Sequence, residues 1–303
     1  MFEGDMKLSD TGSGSDRNMI SGDNYRWPKV DENVEVPYTF GSGVSDSKKE
    51  MVQNSAEDFA KFTCVKFVPR SNQNDYIEFY NGTDGCNSDV GKIGGKQILS
   101  LEDDCESVKG VVSHEMMHAI GFYHEQSRAD RDQFITVQIL EWEYNFDICD
   151  QNSEPSCALP NSGYDYGSVM HYDDTAFSHN QEDKTIIPKN SGVEIGQRAG
   201  LSRGDIAKIN EMYNCGSHTV QPRNGAPYPS DDKCDKAANC YTIKLGMCAK
   251  PVEDYKYLRY CAKTCDGAQE GSNYDQLSNC DELKNQCSEY QEECAYTCAG
   301  SQF

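Results

Sequence analysis

The sequence predicts an α+β domain followed by two small cysteine-rich modules, and three observations carry that expectation. Segments with strand and helix patterning are interspersed between residues 25 and 216. Three of the six histidines fall inside residues 114–124. Fifteen cysteines are present, nine of them after residue 233. A chain of 303 residues is long enough for one sizeable core with further small domains.

Residues 1–24 are polar and rich in Gly, Ser and Asp, which predicts an extended segment unless the fold binds it. From Tyr25 the chain becomes globular. Residues 34–40 and 76–80 read as strands. Residues 47–62 place Met51, Val52, Ala56, Phe59 and Ala60 at helical spacing. Residues 97–101 form a short alternating run, expected as an edge strand. Residues 106–120 form the helix that carries the first two histidines. Residues 121–215 lack strong periodicity and should be loop-rich, closing in a helix at about 203–213. Residues 217–232 read as a linker. Beyond it, the segments beginning at Cys234 and Tyr274 align as an internal repeat, each copy too small for a core without disulfides. The expected units are therefore 1–17, 18–216, 217–232, 233–268 and 274–303.

The formal net charge is -22, with 50 acidic against 28 basic residues. No basic stripe exists, which argues against nucleic acid and against anionic membranes. No apolar run approaches the length of a transmembrane helix, so membrane insertion is not expected. The cysteine density predicts disulfides and a secretory, extracellular setting. The polar start lacks a signal-peptide pattern, which leads us to expect a further N-terminal piece. Asn81-Gly-Thr is a glycosylation candidate.

Residues 114–124 read H-E-M-M-H-A-I-G-F-Y-H. His114 and His118 are four apart, so on a helix they share a face and can grip one metal ion. A continued helix would turn His124 by about 600°, leaving it about 240° away from that face. Gly121 tolerates the backbone conformation that ends the helix and can bring His124 back as a third ligand. Three neutral imidazoles with one open position suit zinc. Glu115 lies beside the first ligand, where it can reach a water at the metal and take its proton. Core histidines beside a surface glutamate are the plainer reading, and the length of the motif weighs against it.

This motif, continued by Q-S-R-A-D-R-D after Glu125, resembles the astacin family of zinc metallopeptidases, as does S-V-M-H-Y at 168–172. The resemblance spans roughly residues 18–215. It implies a metzincin fold with a twisted mixed sheet and a long zinc-binding helix. It also implies one catalytic zinc ion held by His114, His118 and His124, with Glu115 as general base and then general acid. Met170 would floor the site in a Met-turn. Tyr172 would be a further ligand that swings to the oxyanion. His171 is expected to be structural, and His179 and His218 to lie on the surface. Protein substrates would lie extended against an edge strand, for which residues 97–101 are the candidate. Pro188 lies where the family shapes a specificity pocket, and no arginine accompanies it to select acidic side chains.

F-E-G-D at 2–5 resembles the family's pro-segment switch, which puts Asp5 on the zinc. N-M-I-S-G-D at 18–23 aligns with the family's mature N-terminus. Arg17 would then be the activation site for a trypsin-like protease. The freed Asn18 would be buried near Glu125, where a new ammonium could pair with the carboxylate. A latent zymogen follows as the expectation.

The family's two disulfides match Cys64–Cys215 and Cys86–Cys105, and Cys149–Cys157 should pair within a loop. The two repeats resemble ShK-type toxin domains, small disulfide-rich helical modules. That implies Cys240–Cys261 with Cys248–Cys265, and Cys280–Cys294 with Cys287–Cys298. Each copy lacks one bridge. Cys234 is the odd cysteine, free or available for intermolecular pairing. Lys256-Tyr257 matches the pair with which channel-blocking members act, though an exposed Lys beside a packing Tyr accounts for it more simply. The resemblance therefore leads us to expect a secreted endopeptidase whose tail meets an extracellular or channel partner. The competing class is a toxin-like, channel-binding protein on a degenerate protease scaffold. The completeness of the zinc motif favours the enzyme.

Overall fold

Alternation of buried and exposed side chains builds the sheet in the computed structural model, which describes residues 4–7, 19–20, 22–103, 105, 108–138, 143–148, 158–180 and 182–216. The elements in chain order are β1 (Met6–Lys7), β2 (Lys29–Val30), β3 (Asn33–Phe40), α1 (Asp46–Phe62), β4 (Val65–Pro69), β5 (Tyr76–Tyr80), β6 (Ser88–Asp89) and β7 (Lys96–Ser100), followed by α2 (Lys109–Ala119), β8 (Ile135–Val137), β9 (Ile186–Pro188) and α3 (Arg203–Met212).

Strands β2, β3, β5 and β7 run in that order, and β4 pairs with β3. The β2 pairing is antiparallel and the others are parallel, so the sheet is mixed, in line with the α+β expectation. Val34, Val36, Val65, Ile77, Phe79 and Leu99 are buried with Val52 and Phe59 of α1 and Val112 and Met116 of α2. Ser45 caps α1 by accepting a hydrogen bond from the Lys48 amide at 3.1 Å. The strand expected at 76–80 appears with those ends, and the other predicted strands and helices appear with ends shifted by no more than three residues. Strand β4 went unread because it is a five-residue run directly after a helix and ends in proline.

The expected substrate-pairing strand at 97–101 needs correction. Strand β7 does end the path of strands, but the Asn87 and Ser100 backbones bridge its outer side at 2.8 and 3.1 Å. The strand that accepts an added segment is β6: Met6–Lys7 lies parallel to it, in register Met6↔Ser88 and Lys7↔Asp89. Two-residue strands carry no periodicity, so neither was legible in sequence.

Cys64–Cys215 and Cys86–Cys105 are bonded, with Cα separations of 5.2 and 5.9 Å. Cys149, Cys157, Arg17, Asn18 and everything after residue 216, with Cys234, Lys256, Tyr257, His218 and the paired tail cysteines, lie outside the described residues. No helix among the described residues is long and apolar enough to cross a membrane.

Candidate active site

Helix α2 is buried from Val112 to Ala119, so it runs through the core rather than over it. Trp27 is buried beneath its end and donates its indole N–H to the Ala119 carbonyl at 2.8 Å. The helix stops at Gly121, whose φ of 106° is open to glycine and strained for other residues. A Cβ there would lie 2.6 Å from Ile20 and 2.7 Å from Met212. The Gly121 amide bonds the His118 carbonyl and the Phe122 amide bonds the Met117 carbonyl, which turns the chain back toward His124.

Three imidazole Nε2 atoms converge as a result. His114 Nε2 is 3.1 Å from that of His118 and 3.2 Å from that of His124. The Nδ1 atoms of His114 and His118 face the carbonyls of Val169 and Phe122, each at 2.7 Å. A carbonyl can only accept, so each Nδ1 carries the proton and each Nε2 presents a lone pair. Lone pairs this close cannot bond one another and call for a cation between them. Zinc with Zn–N near 2.0–2.1 Å and tetrahedral angles would separate such nitrogens by about 3.3–3.4 Å. Burial lowers the pKa of His114 to about 4 and that of His118 well below the usual value, so the rings are neutral at neutral pH, as ligands must be.

The Asp5 carboxylate closes the group. Its Oδ2 lies 3.1 Å from His114 Nε2 and 3.2 Å from His124 Nε2, and its Oδ1 lies 3.8 Å from His118 Nε2. All four side chains can offer an atom to one ion. Glu115 is buried beside them, and its Oε2 has no hydrogen-bond partner among the described residues. Burial, then the Asp5 charge, pushes its carboxyl well above the ordinary value. A buried polar atom left unpartnered next to a carboxylate fits a group that a bound cation and its water would engage.

The turn at 168–171 lies under the site. The His171 amide bonds the Ser168 carbonyl, the Met170 side chain is buried, and the Met170 carbonyl accepts from the Glu125 amide at 3.0 Å. Tyr172 stands with its ring 4.5 Å from that of His124 and is otherwise flanked by Phe146 and Phe177. His171 is structural, as expected: Nδ1 faces the Tyr172 carbonyl and Nε2 faces the Tyr164 hydroxyl. His179 is exposed, also as expected. Pro188 lies in β9, paired with Ile135. The Asn81 carboxamide is half-buried and accepts from Lys48.

Several supporting residues were missed in sequence. Asp205 accepts from Ser168 Oγ at 2.5 Å and from the Val169 amide at 2.8 Å, while closing a capping box with Ser202 on α3. It thereby holds the turn whose carbonyl orients His114. The S-R-G-D run at 202–205 is a legible capping signal that could have pointed to it. Gln126 accepts from the Tyr172 amide. Glu125 is already engaged: Lys208 Nζ lies 2.5 Å from Oε2, and the Asp165 amide donates to Oε1 at 2.7 Å. Burial would raise Glu125, but Lys208 and Arg128 hold it below its ordinary value. The ammonium facing Glu125 here thus comes from α3.

Fold and site together define a mononuclear three-histidine zinc protein. The family profile for Astacin, described as a peptidase family, matches residues 19–214. The chain belongs to the astacin family, whose members depend on zinc. It is 43% identical over 224 residues to meprin A subunit beta of Rattus norvegicus, covering 72% of this chain and 30% of that protein. It is 44% identical over 209 residues to zinc metalloproteinase nas-13 of Caenorhabditis elegans, covering 68% of this chain and 45% of that protein. The chain therefore spans less than half the length of these curated relatives. The solved structure of high choriolytic enzyme 1, a hatching enzyme zinc-protease from Oryzias latipes, superposes with a TM-score of 0.60 at 37% identity, over 66% of this chain and 100% of that one.

Proposed function

We propose that this chain is a secreted zinc endopeptidase held latent by its own N-terminal segment. The observation that carries the reading is the convergence of three imidazole lone pairs beside a buried glutamate with an unpartnered oxygen. His114, His118 and His124 would hold zinc there, and the ion would supply a lower pKa for a water and polarisation of the scissile carbonyl. Glu115 takes that water's proton on its carboxylate as the oxygen attacks the carbonyl carbon. It then delivers the proton to the amine as the C–N bond breaks. Tyr172 donates its phenol hydrogen to the developing oxyanion, at a site where burial excludes water. Strand β6 offers its backbone to an extended substrate, as it does to Met6–Lys7.

Asp5 lies where substrate must enter, so the segment has to leave before peptide bonds can be cut. Cleavage after Arg17 by a trypsin-like protease would sever it from the domain. Both disulfides support an extracellular setting. Casein hydrolysis before and after limited tryptic cleavage, with Glu115→Ala alongside, tests the reading. We expect activity only after cleavage, none with a chelator and none in the variant. A cleaved, zinc-loaded chain that hydrolyses no protein or peptide would overturn it.

A further inference from the structure

We propose that Asp84 and Asp89 form a subsite for a basic side chain, so that the activated enzyme prefers peptides with Lys or Arg about two residues from the scissile bond. This rests on the protease reading and adds a substrate class to it.

Residues 4–7 are a peptide lying in the cleft, and each side chain reports what surrounds it. Gly4 faces Phe177: a Cβ there would come within 3.2 Å of that ring, and φ is 92°. Asp5 is at the three histidines, and its carbonyl accepts from the Ser88 amide at 2.9 Å. Met6 is wholly buried in the main core cluster, which fixes the register of the segment. Neighbouring side chains of a strand point to opposite faces, so Lys7 points away from that core.

Acidic groups meet Lys7. Asp84 Oδ2 lies 3.8 Å from its ammonium, and Asp89 is its register partner on β6. Asp89 is only 7% exposed and has no hydrogen bond to its carboxylate among the described residues. Burial raises its carboxyl, and Lys7 opposes the rise. With its residue this enclosed and no protein donor on it, the Asp89 carboxylate is favoured by a cation facing it. Lys7 is the cation here, and it leaves with the segment. The vacated seat would then hold an uncompensated carboxylate against the rim of an active cleft. A Lys or Arg of a substrate restores the pair whichever way the substrate backbone runs, because the charge contact is a side-chain matter.

The test uses the full chain after tryptic activation and zinc loading. Paired peptides differ only by Lys, Gln or Glu at each position within three residues of the cut. At the matching position we expect kcat/KM for Lys over Gln of about five- to tenfold, with Glu below Gln, as for a desolvated charge pair. Asp89→Asn, an isosteric change, should bring the Lys/Gln ratio to near one. A second readout does not depend on turnover: binding of labelled Gly-Asp-Met-Lys and Gly-Asp-Met-Gln to the activated protein. The Lys peptide should bind several-fold tighter, and Asp89→Asn should erase the difference. Cleavage without charge preference, or equal binding of the two peptides, overturns the subsite and leaves the protease reading standing. Discriminating binding with no cleavage of any peptide upholds the subsite and overturns the protease reading.

Discussion

Gly121 separates the helical ligands from the third one, and its role can be tested directly. Gly121→Ala places a methyl against Ile20 and Met212 on a backbone with φ of 106°. We expect a loss of roughly 1–3 kcal/mol in stability and a fall in bound zinc, read by denaturation and metal analysis. Asp165 offers a second test. It is buried and its pKa is raised to about 6, by burial first and further by Asp205 and Glu125, against Lys208 and Ser202. An unfolded Asp titrates near pH 3.9. Between about pH 4 and 6 the folded chain therefore keeps a proton that the unfolded chain has lost. That contribution to stability is whole below about pH 4 and gone above about pH 6. Urea midpoints across this window should decline less in Asp165→Asn than in the parent. The spacing from His114 to His124 was legible because chemistry and helix geometry demand it. Lys208 was not, because a lysine on a short helix looks solvated until tertiary packing brings Glu125 to it.

Helix α3 acts on the site without touching the histidine cluster. Ser202 starts it, Asp205 in its first turn clamps Ser168 and Val169, and the Val169 carbonyl orients His114. Asp205→Ala should weaken zinc binding about 10- to 100-fold, the usual penalty for losing an outer partner of a ligand. A zinc titration with a competing chelator measures this, and an unchanged affinity would remove α3 from the site's support. Longer elements were readable because their burial repeats: α1 buries Val52, Ser55 and Phe59 on one side. The cleft edge was not readable. Strands β1 and β6 have two residues each and are defined by the partner they meet, not by any pattern of their own.

At the scale of the molecule, the Cys64–Cys215 bridge ties the start of β4 to the residues just after α3, closing 151 residues of sequence. The Cys86–Cys105 bridge closes only 19, next to the cleft. Loop-closure entropy assigns the first about 5 kcal/mol and the second about 3. Replacing Cys64 and Cys215 with Ala should therefore lower the melting temperature of the whole domain more than replacing Cys86 and Cys105, as calorimetry would show. The position of Trp27 has a different consequence. Its indole hydrogen bond to Ala119 sits at the end of the helix that carries two of the metal-binding histidines, and the chain's second tryptophan, Trp142, is outside the described residues. With Trp142→Phe, the remaining indole becomes an optical gauge inside the protein. Its emission should shift when a chelator strips the metal and return when zinc is added back, so occupancy could be followed in real time without labels or substrate.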